Sequence, residues 1–238
     1  MEVQEVYFKD LGLIEYKAAW DIQENILSKN VEIKSTVRKS GKDVDLLTIP
    51  TTHHLLFCEH PSVYTLGKSG NIENVLISDE EMNEKEISFF RTNRGGDITF
   101  HGLQQIVGYP ILDLEKYYTD IGKYLRNLEE VVIHTIAFYG LSGERIAGET
   151  GVWIDAGKPG KERKICAIGV RCSRWITMHG FALNVNTDLS YFNNIIPCGI
   201  QNKQVTSIQK EVGKEVDINE VKMLIKRNFE IIFNSKLV

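Results

Sequence analysis

Apolar residues recur along this chain at two spacings, one helical and one alternating. From Leu11 to Ser28, Tyr16, Ala19, Trp20, Ile26 and Leu27 recur at helical intervals, which predicts an opening helix. The run "VEIKSTVRKSGKDVD" (31–45) is polar and charged and reads as an exposed excursion or surface insertion. "HLLFC" (54–58) and "EISFFRTN" (86–93) suit short strands, the first closed by the turn-rich "EHPSVYTLGKSG". "QIVGYPILDL" (105–114) reads as a further strand whose Pro110 suggests an edge or bulge position.

A long helix is predicted over about Asp120 to Tyr139, with Ile121, Tyr124, Leu125, Leu128, Val132 and Ile136 on one face and Gly140 placed to end it. "GVWID", "RKICAIGVR" and "WITMHGFALNV" follow as consecutive strands of an antiparallel meander, the first pair joined through "AGKPGKE". A last helix runs from about Ile218 to Phe233, opened by Asp217 and Glu220 in a capping-box-like pair. Helices flanking runs of strands, without regular βαβ alternation, point to one α+β domain over residues 1–238. Its sheet should be mixed and largely antiparallel.

Composition narrows the function classes. With 28 basic and 32 acidic residues the net charge is −4, so no global basic field argues for nucleic acid. No apolar run approaches the roughly 18 residues of a membrane span. The opening "MEVQEVYFKDLG" lacks a secretory pattern, so a cytoplasmic setting is expected. Cys58, Cys166, Cys172 and Cys198 form no C-x-x-C pair, which disfavours a metal knuckle or a thioredoxin-like motif.

Several segments could carry chemistry. In "RGGDITFHG", paired glycines allow close backbone approach, Arg94 supplies a cation, and Thr99 and His101 share a face if extended. Taken alone, a tight turn with a structural histidine explains it as well. In "RKICAIGVR", alternation puts Lys164 on the face of Cys166, Ile168 and Val170, where desolvation would lower its amine pKa. The plain alternative is a strand-end lysine whose ammonium reaches water. Cys166 sits mid-strand among apolar residues, a setting that makes a thiol inert. Cys198, between Pro197 and Gly199 in "IPCGI", is the better nucleophile candidate, and the N–H beyond it is a possible oxyanion donor. "MHGFALNVN" adds a second His–Gly pair, His179 and Gly180.

The ordered set R-G-G…H-G, strand lysine, H-G-F-A-L-N and P-C-G-I resembles the lipoyl(octanoyl) transferase family over most of the chain. The resemblance implies an α/β (α+β) fold related to biotin and lipoate protein ligases. It implies that Cys198 carries an acyl thioester and that Lys164 is its partner. It assigns the acyl site to Arg94, Gly95, Gly96 and Asp97, then Ile98, Thr99, Phe100 and His101. Ala167, Ile168 and Gly169 join these, as do Gly180, Phe181 and Ala182. The implied activity is transfer of octanoate from octanoyl-acyl carrier protein to a lysine of lipoyl domains, the first step of endogenous lipoylation. The implied acceptors are apo lipoyl domains of 2-oxoacid dehydrogenase complexes and the glycine cleavage H protein. No cofactor, nucleotide or metal is implied.

One departure stands out: Leu103 and Gln104 replace the family's Pro and Gly. If that glycine has positive φ, Gln104 either strains the loop or forces another turn. Because both expected partners are acidic, a basic rim of Lys158, Lys161, Arg163 and Arg174 is expected. Three rivals remain: an ATP-dependent lipoate–protein ligase, an enzyme passing octanoate between lipoyl-type carriers, and a non-catalytic module that binds an acylated carrier. An ATP requirement, a donor swap and the absence of turnover would separate them.

Overall fold

The computed structural model describes residues 3–39, 45, 48–196 and 204–238. Its first half comprises β1 (Gln4–Leu13), α1 (Tyr16–Lys39), β2 (His53–Glu59), β3 (Val63–Leu66), α2 (Asp79–Glu84), β4 (Ser88–Arg91), β5 (Ile98–His101) and β6 (Gln105–Ile111). There follow α3 (Ile121–Ala137), β7 (Glu144–Ile146), β8 (Glu149–Ile154), β9 (Arg163–Ser173) and β10 (Ile176–Asn184). The chain closes with β11 (Gln204–Val205), α4 (Ile208–Val212), α5 (Ile218–Phe233) and β12 (Ser235–Leu237).

Nine strands form one mixed sheet in the order β12-β1-β2-β6-β10-β9-β8-β7, with β11 added beside β9. Along the path from β2 to β7 the strands are antiparallel, while β1 runs parallel to both β12 and β2 and β11 runs parallel to β9. The expected meander β8-β9-β10 is present. A second, three-stranded sheet, β4-β3-β5, encloses its own cluster around Tyr64, Leu66, Phe100 and Phe192.

Helices cover both faces of the large sheet. Asp120 caps α3 by accepting the Lys123 N–H at 2.9 Å. Tyr124, Leu128, Val132 and Ile136 then bury a stripe against the sheet, each contributing about 1.5–3 kcal/mol. Gly140 ends the run at φ +77°, a left-handed conformation that glycine adopts freely. Beside it α5 buries Val221, Ile225, Phe229 and Phe233. Its cap, Asp217, accepts from Asn219 N–H, but the capping box does not close: Glu220 instead accepts from the Tyr139 hydroxyl.

The opening of the chain differs from its sequence reading. Residues 4–13 are a strand, and the helix starts at Tyr16 and runs on to Lys39. The presumed excursion therefore begins as helix. Its buried face continues Ala19, Gln23, Leu27, Asn30 and Lys34, so the stripe turns from apolar to polar without leaving the core. Lys34 is fully buried because Asp113 and Glu115 each meet its ammonium at 2.7 Å. Pro110 is also not on an edge, since it pairs with Leu55 inside the sheet. The β6–β10 ladder stops at Gly108, and Thr177 Oγ1 donates to the Pro110 carbonyl at 2.9 Å, so the missing proline N–H interrupts nothing.

Candidate active site

A cavity of about 650 Å³ opens along β9. Strand β8 pairs with β9 only over Arg163–Cys166, so beyond Cys166 that side of β9 has no strand neighbour among the described residues. The loop carrying Arg94 approaches it instead, with the Gly95 N–H donating to the Val170 carbonyl at 2.9 Å.

The cavity collects nearly all of the acyl-site residues expected from the sequence. Lys164, Arg94 through Thr99, His101, Ala167 through Gly169, and Gly180 through Ala182 all line it. Phe100 does not. Alternation along β5 turns its ring into the small sheet, stacked on Tyr191 with centroids 4.6 Å apart. Cys198 lies outside the described residues. The segments on either side of it contribute Phe192 and Val205 to the cavity wall, and Val205 pairs in register with Lys164.

The glycines serve close packing of backbone as well as access. A Cβ at Gly180 would lie 2.1 Å from the Gly108 carbonyl, so β6 and β10 can meet there only without one. Gly96 takes φ +85° to turn the loop back over β9.

Arg94 is not the free cation its sequence suggests. Its Nη2 donates to the carbonyls of Thr65 (2.6 Å) and Asp97 (2.8 Å) and to Thr65 Oγ1 (3.0 Å), pinning the glycine turn. From there a directed chain crosses the site. The Thr65 hydroxyl donates a hydrogen bond to His101 Nε2 at 3.3 Å, and His101 Nδ1–H donates to Gln105 Oε1 at 2.9 Å. The Gln105 amide donates to Asn184 Oδ1 (2.8 Å), and Asn184 Nδ2 donates to the Thr206 carbonyl (2.9 Å). The Thr206 N–H then donates to the Lys164 carbonyl at 2.9 Å. His101 is thus a neutral imidazole; burial, then His60, holds its pKa well below the ordinary value. The sequence reading left Gln105 and Asn184 out of the site, although both stand inside quoted segments.

Lys164 sits with its ammonium 4.5 Å from the centroid of the Trp153 ring, a cation–π arrangement that holds a positive charge against an apolar wall. Cys166 is fully buried and burial drives its thiol pKa up, so it is inert as expected. Gln104 has φ +61° and keeps the turn. The basic rim is only partly realised. Arg163 is committed to Glu211 (2.5 and 2.6 Å) and Asp155 (2.6 Å), and Arg174 lies past the opposite end of β9, donating to Ser35 Oγ.

Comparisons with known proteins show the family and the fold. Residues 15–230 match the model of the lipoyl protein ligase A/B catalytic domain. The octanoyltransferase of Christiangramia forsetii is 56% identical over 235 residues, 98% of each chain, and that of Flavobacterium johnsoniae is 53% identical over 99% of each. In shape, the chain superposes over its full length on 86% of a bipartite lipoate protein ligase from Thermoplasma acidophilum, with a TM-score of 0.66 at 17% identity. A lipoate-protein ligase A solved with ATP gives 0.65 at 16% identity, again over the full length and 88% of that chain. At such identities the likeness speaks for the fold alone. The near-full-length relatives carry the family: this chain belongs to the octanoyltransferases, acyltransferases built on the lipoyl protein ligase A/B catalytic domain.

Proposed function

We propose that this protein transfers an octanoyl group from octanoyl-acyl carrier protein to a specific lysine of lipoyl domains, through a thioester on Cys198. The observation that carries the reading is the single cavity in which Lys164 meets the glycine turn, the β9 edge and the H-G-F-A segment. The acceptors in this reading are apo lipoyl domains of 2-oxoacid dehydrogenase complexes and the glycine cleavage H protein. We place the reaction in the cytoplasm, in keeping with Cys58, Cys166 and Cys172 all being free thiols.

The chemistry runs in two halves. The Cys198 thiolate adds to the thioester carbonyl of the donor, and the oxyanion collapses to expel the carrier thiolate, which takes its proton from the Lys164 ammonium and leaves that amine neutral. Only the thiolate is a strong nucleophile, and the Lys164 ammonium stabilises it. The acceptor amine then adds to the acyl-enzyme, Lys164 takes its excess proton, and the Cys198 thiolate leaves. Backbone N–H groups of the glycine segments are candidates to hold the oxyanion. A thioester donor is already activated, so the reaction needs no nucleotide.

Intact-mass measurement after incubation with octanoyl-acyl carrier protein tests this directly. One octanoyl group should be gained and then lost on adding a lipoyl domain, without ATP. Cys198→Ser should gain none. An ATP requirement would point to a ligase, and a stable thioester on the serine variant would sink the assignment.

A further inference from the structure

The cavity has two ends of different character. Lys164, Gln105 and Asn184 mark one. At the other, Val170 pairs with His179, six residues farther along β9, or about 20 Å at roughly 3.3 Å per residue. Lys164 and His179 both line the cavity. An extended eight-carbon chain with C–C bonds of about 1.5 Å spans roughly 9 Å. The Lys164 side chain adds about 6 Å of reach, so an acyl group running along β9 from its ammonium covers most of that separation and brings its last carbons toward His179.

His179 is unusual in three independent ways. It has φ +57° in the middle of a strand, a left-handed conformation that its N–H bond to Gln23 Oε1 (2.9 Å) helps to hold. Its tautomer is fixed. Asn93 turns its amide N–H to Glu24 Oε1 (2.9 Å), so Asn93 Oδ1 faces the imidazole and accepts from His179 Nε2–H at 2.8 Å. Nδ1 is therefore a bare acceptor. It is buried, in a residue 1% exposed, and no described residue donates to it. Such an acceptor carries a standing cost that a ligand donor would remove.

We propose that His179 reads the far end of the acyl chain, its Nδ1 accepting a hydrogen bond from a hydroxyl or thiol on the terminal carbon. The site then takes eight-carbon acyl groups bearing a donor at their end as well as unsubstituted octanoyl. This rests on the octanoyl-transfer reading above. An apolar pocket end discriminates against an added hydroxyl by about 10²-fold, and a placed acceptor cancels that rejection.

The experiment compares 8-hydroxyoctanoyl and octanoyl thioesters of acyl carrier protein as donors. In the unmodified enzyme their kcat/KM values should agree within about tenfold. In His179→Gly, which adopts positive φ freely and has no side-chain acceptor, the hydroxy-to-plain ratio should fall about tenfold further, the loss of one hydrogen bond. Rejection of the hydroxyl by about 10²-fold in the unmodified enzyme, or an unchanged ratio in the variant, overturns the proposal. Should that variant fail to fold, nitrogen-15 histidine spectra of the unmodified protein decide. The His179 Nδ1 resonance should move with 8-hydroxyoctanoate and not with octanoate, and equal responses overturn it. Because these spectra read binding, a selective shift without any octanoyl transfer would sink the transferase reading alone. Transfer without selectivity would sink only the role of His179.

Discussion

Asn184 and Thr206 tie the floor of the cavity to the strand that returns from the Cys198 segment. Asn184 Nδ2 donates to the Thr206 carbonyl at 2.9 Å, while the Thr206 N–H holds the Lys164 carbonyl. Asn184→Ala leaves one N–H of the Gln105 amide, whose other bond runs to the Phe100 carbonyl, and the Thr206 carbonyl unmet in a buried place, which costs about 1–3 kcal/mol. Tm should fall by roughly 2–4 °C per kcal/mol. If Asn184 positions the strand beside Lys164, kcat should drop at least tenfold with little change in KM for the carrier. A fall in Tm with kcat preserved would make the residue purely structural.

Gln104 stands where the resemblance leads one to expect a glycine. It keeps the left-handed conformation, at φ +61°, because its surroundings over-determine it. Its N–H donates to Glu59 Oε2 at 2.8 Å, and its carbonyl accepts from the N–H of Asn186 and the Thr187 hydroxyl. Its side-chain oxygen accepts from the Asn186 amide at 2.8 Å. Both Gln104→Ala and Gln104→Gly lose that last bond, but only the alanine keeps the strained φ. The glycine variant should be the more stable of the two by about 1 kcal/mol, a Tm gap of some 2–4 °C. Equal melting temperatures would mean that the turn relaxes around either residue.

These two sites also mark how far the sequence could be read. The meander β8-β9-β10 was legible because alternation and the Gly-Lys-Pro-Gly turn agree on it, and α3 because Tyr124, Leu128, Val132 and Ile136 repeat at one period. The strand β1 was not, since the helical spacing was taken to begin at Leu11, inside it, although Asp10 and Gly12 are both strand residues. The structure uses them in place, the Gly12 N–H capping onto Asp10 Oδ1 at 2.9 Å. The glycine turns and the strand lysine were visible because their residue types are uncommon in such order. Gln105 and Asn184 were invisible because an amide's role depends on which polar groups the fold sets opposite it. His101 and Thr206 lie at distances along the chain that no periodicity encodes.

Lys34 belongs to the same class, and its removal is the most damaging single change we expect. It is fully buried, with Asp113 and Glu115 at 2.7 Å and the Arg174 carbonyl at 2.9 Å. Lys34→Met matches its length but leaves the buried Asp113 carboxylate with only the Thr51 hydroxyl, while Glu115 keeps Arg38. Breaking a buried pair in this way costs about 3–5 kcal/mol, so urea unfolding should show a loss of that order. A loss below about 1 kcal/mol, the range of an exposed pair, would contradict the burial described here.

Acid should unfold this protein earlier than its carboxylates alone would require. Burial pulls the pKa of His53 and His60 from the ordinary 6.5 to about 4, and that of His179 to about 3. The folded state thus keeps these rings neutral while the unfolded chain protonates them near pH 6.5. Between pH 6.5 and about 4 the unfolded state binds more protons, so stability falls as pH falls through that window. Each group contributes at most about 1.4 kcal/mol per pH unit. His60 is the clearest case, because Nδ1–H donates to the Ile14 carbonyl at 2.7 Å and Nε2 accepts from the Tyr109 hydroxyl at 2.8 Å. A second proton would displace that hydroxyl donor. His60→Gln should lower absolute stability and also flatten the decline between pH 6.5 and 5 by roughly 1 kcal/mol per unit. Urea titrations at several pH values read that slope directly, and an unaltered slope in the variant would mean that His60 protonates as readily in the folded protein as in the unfolded chain.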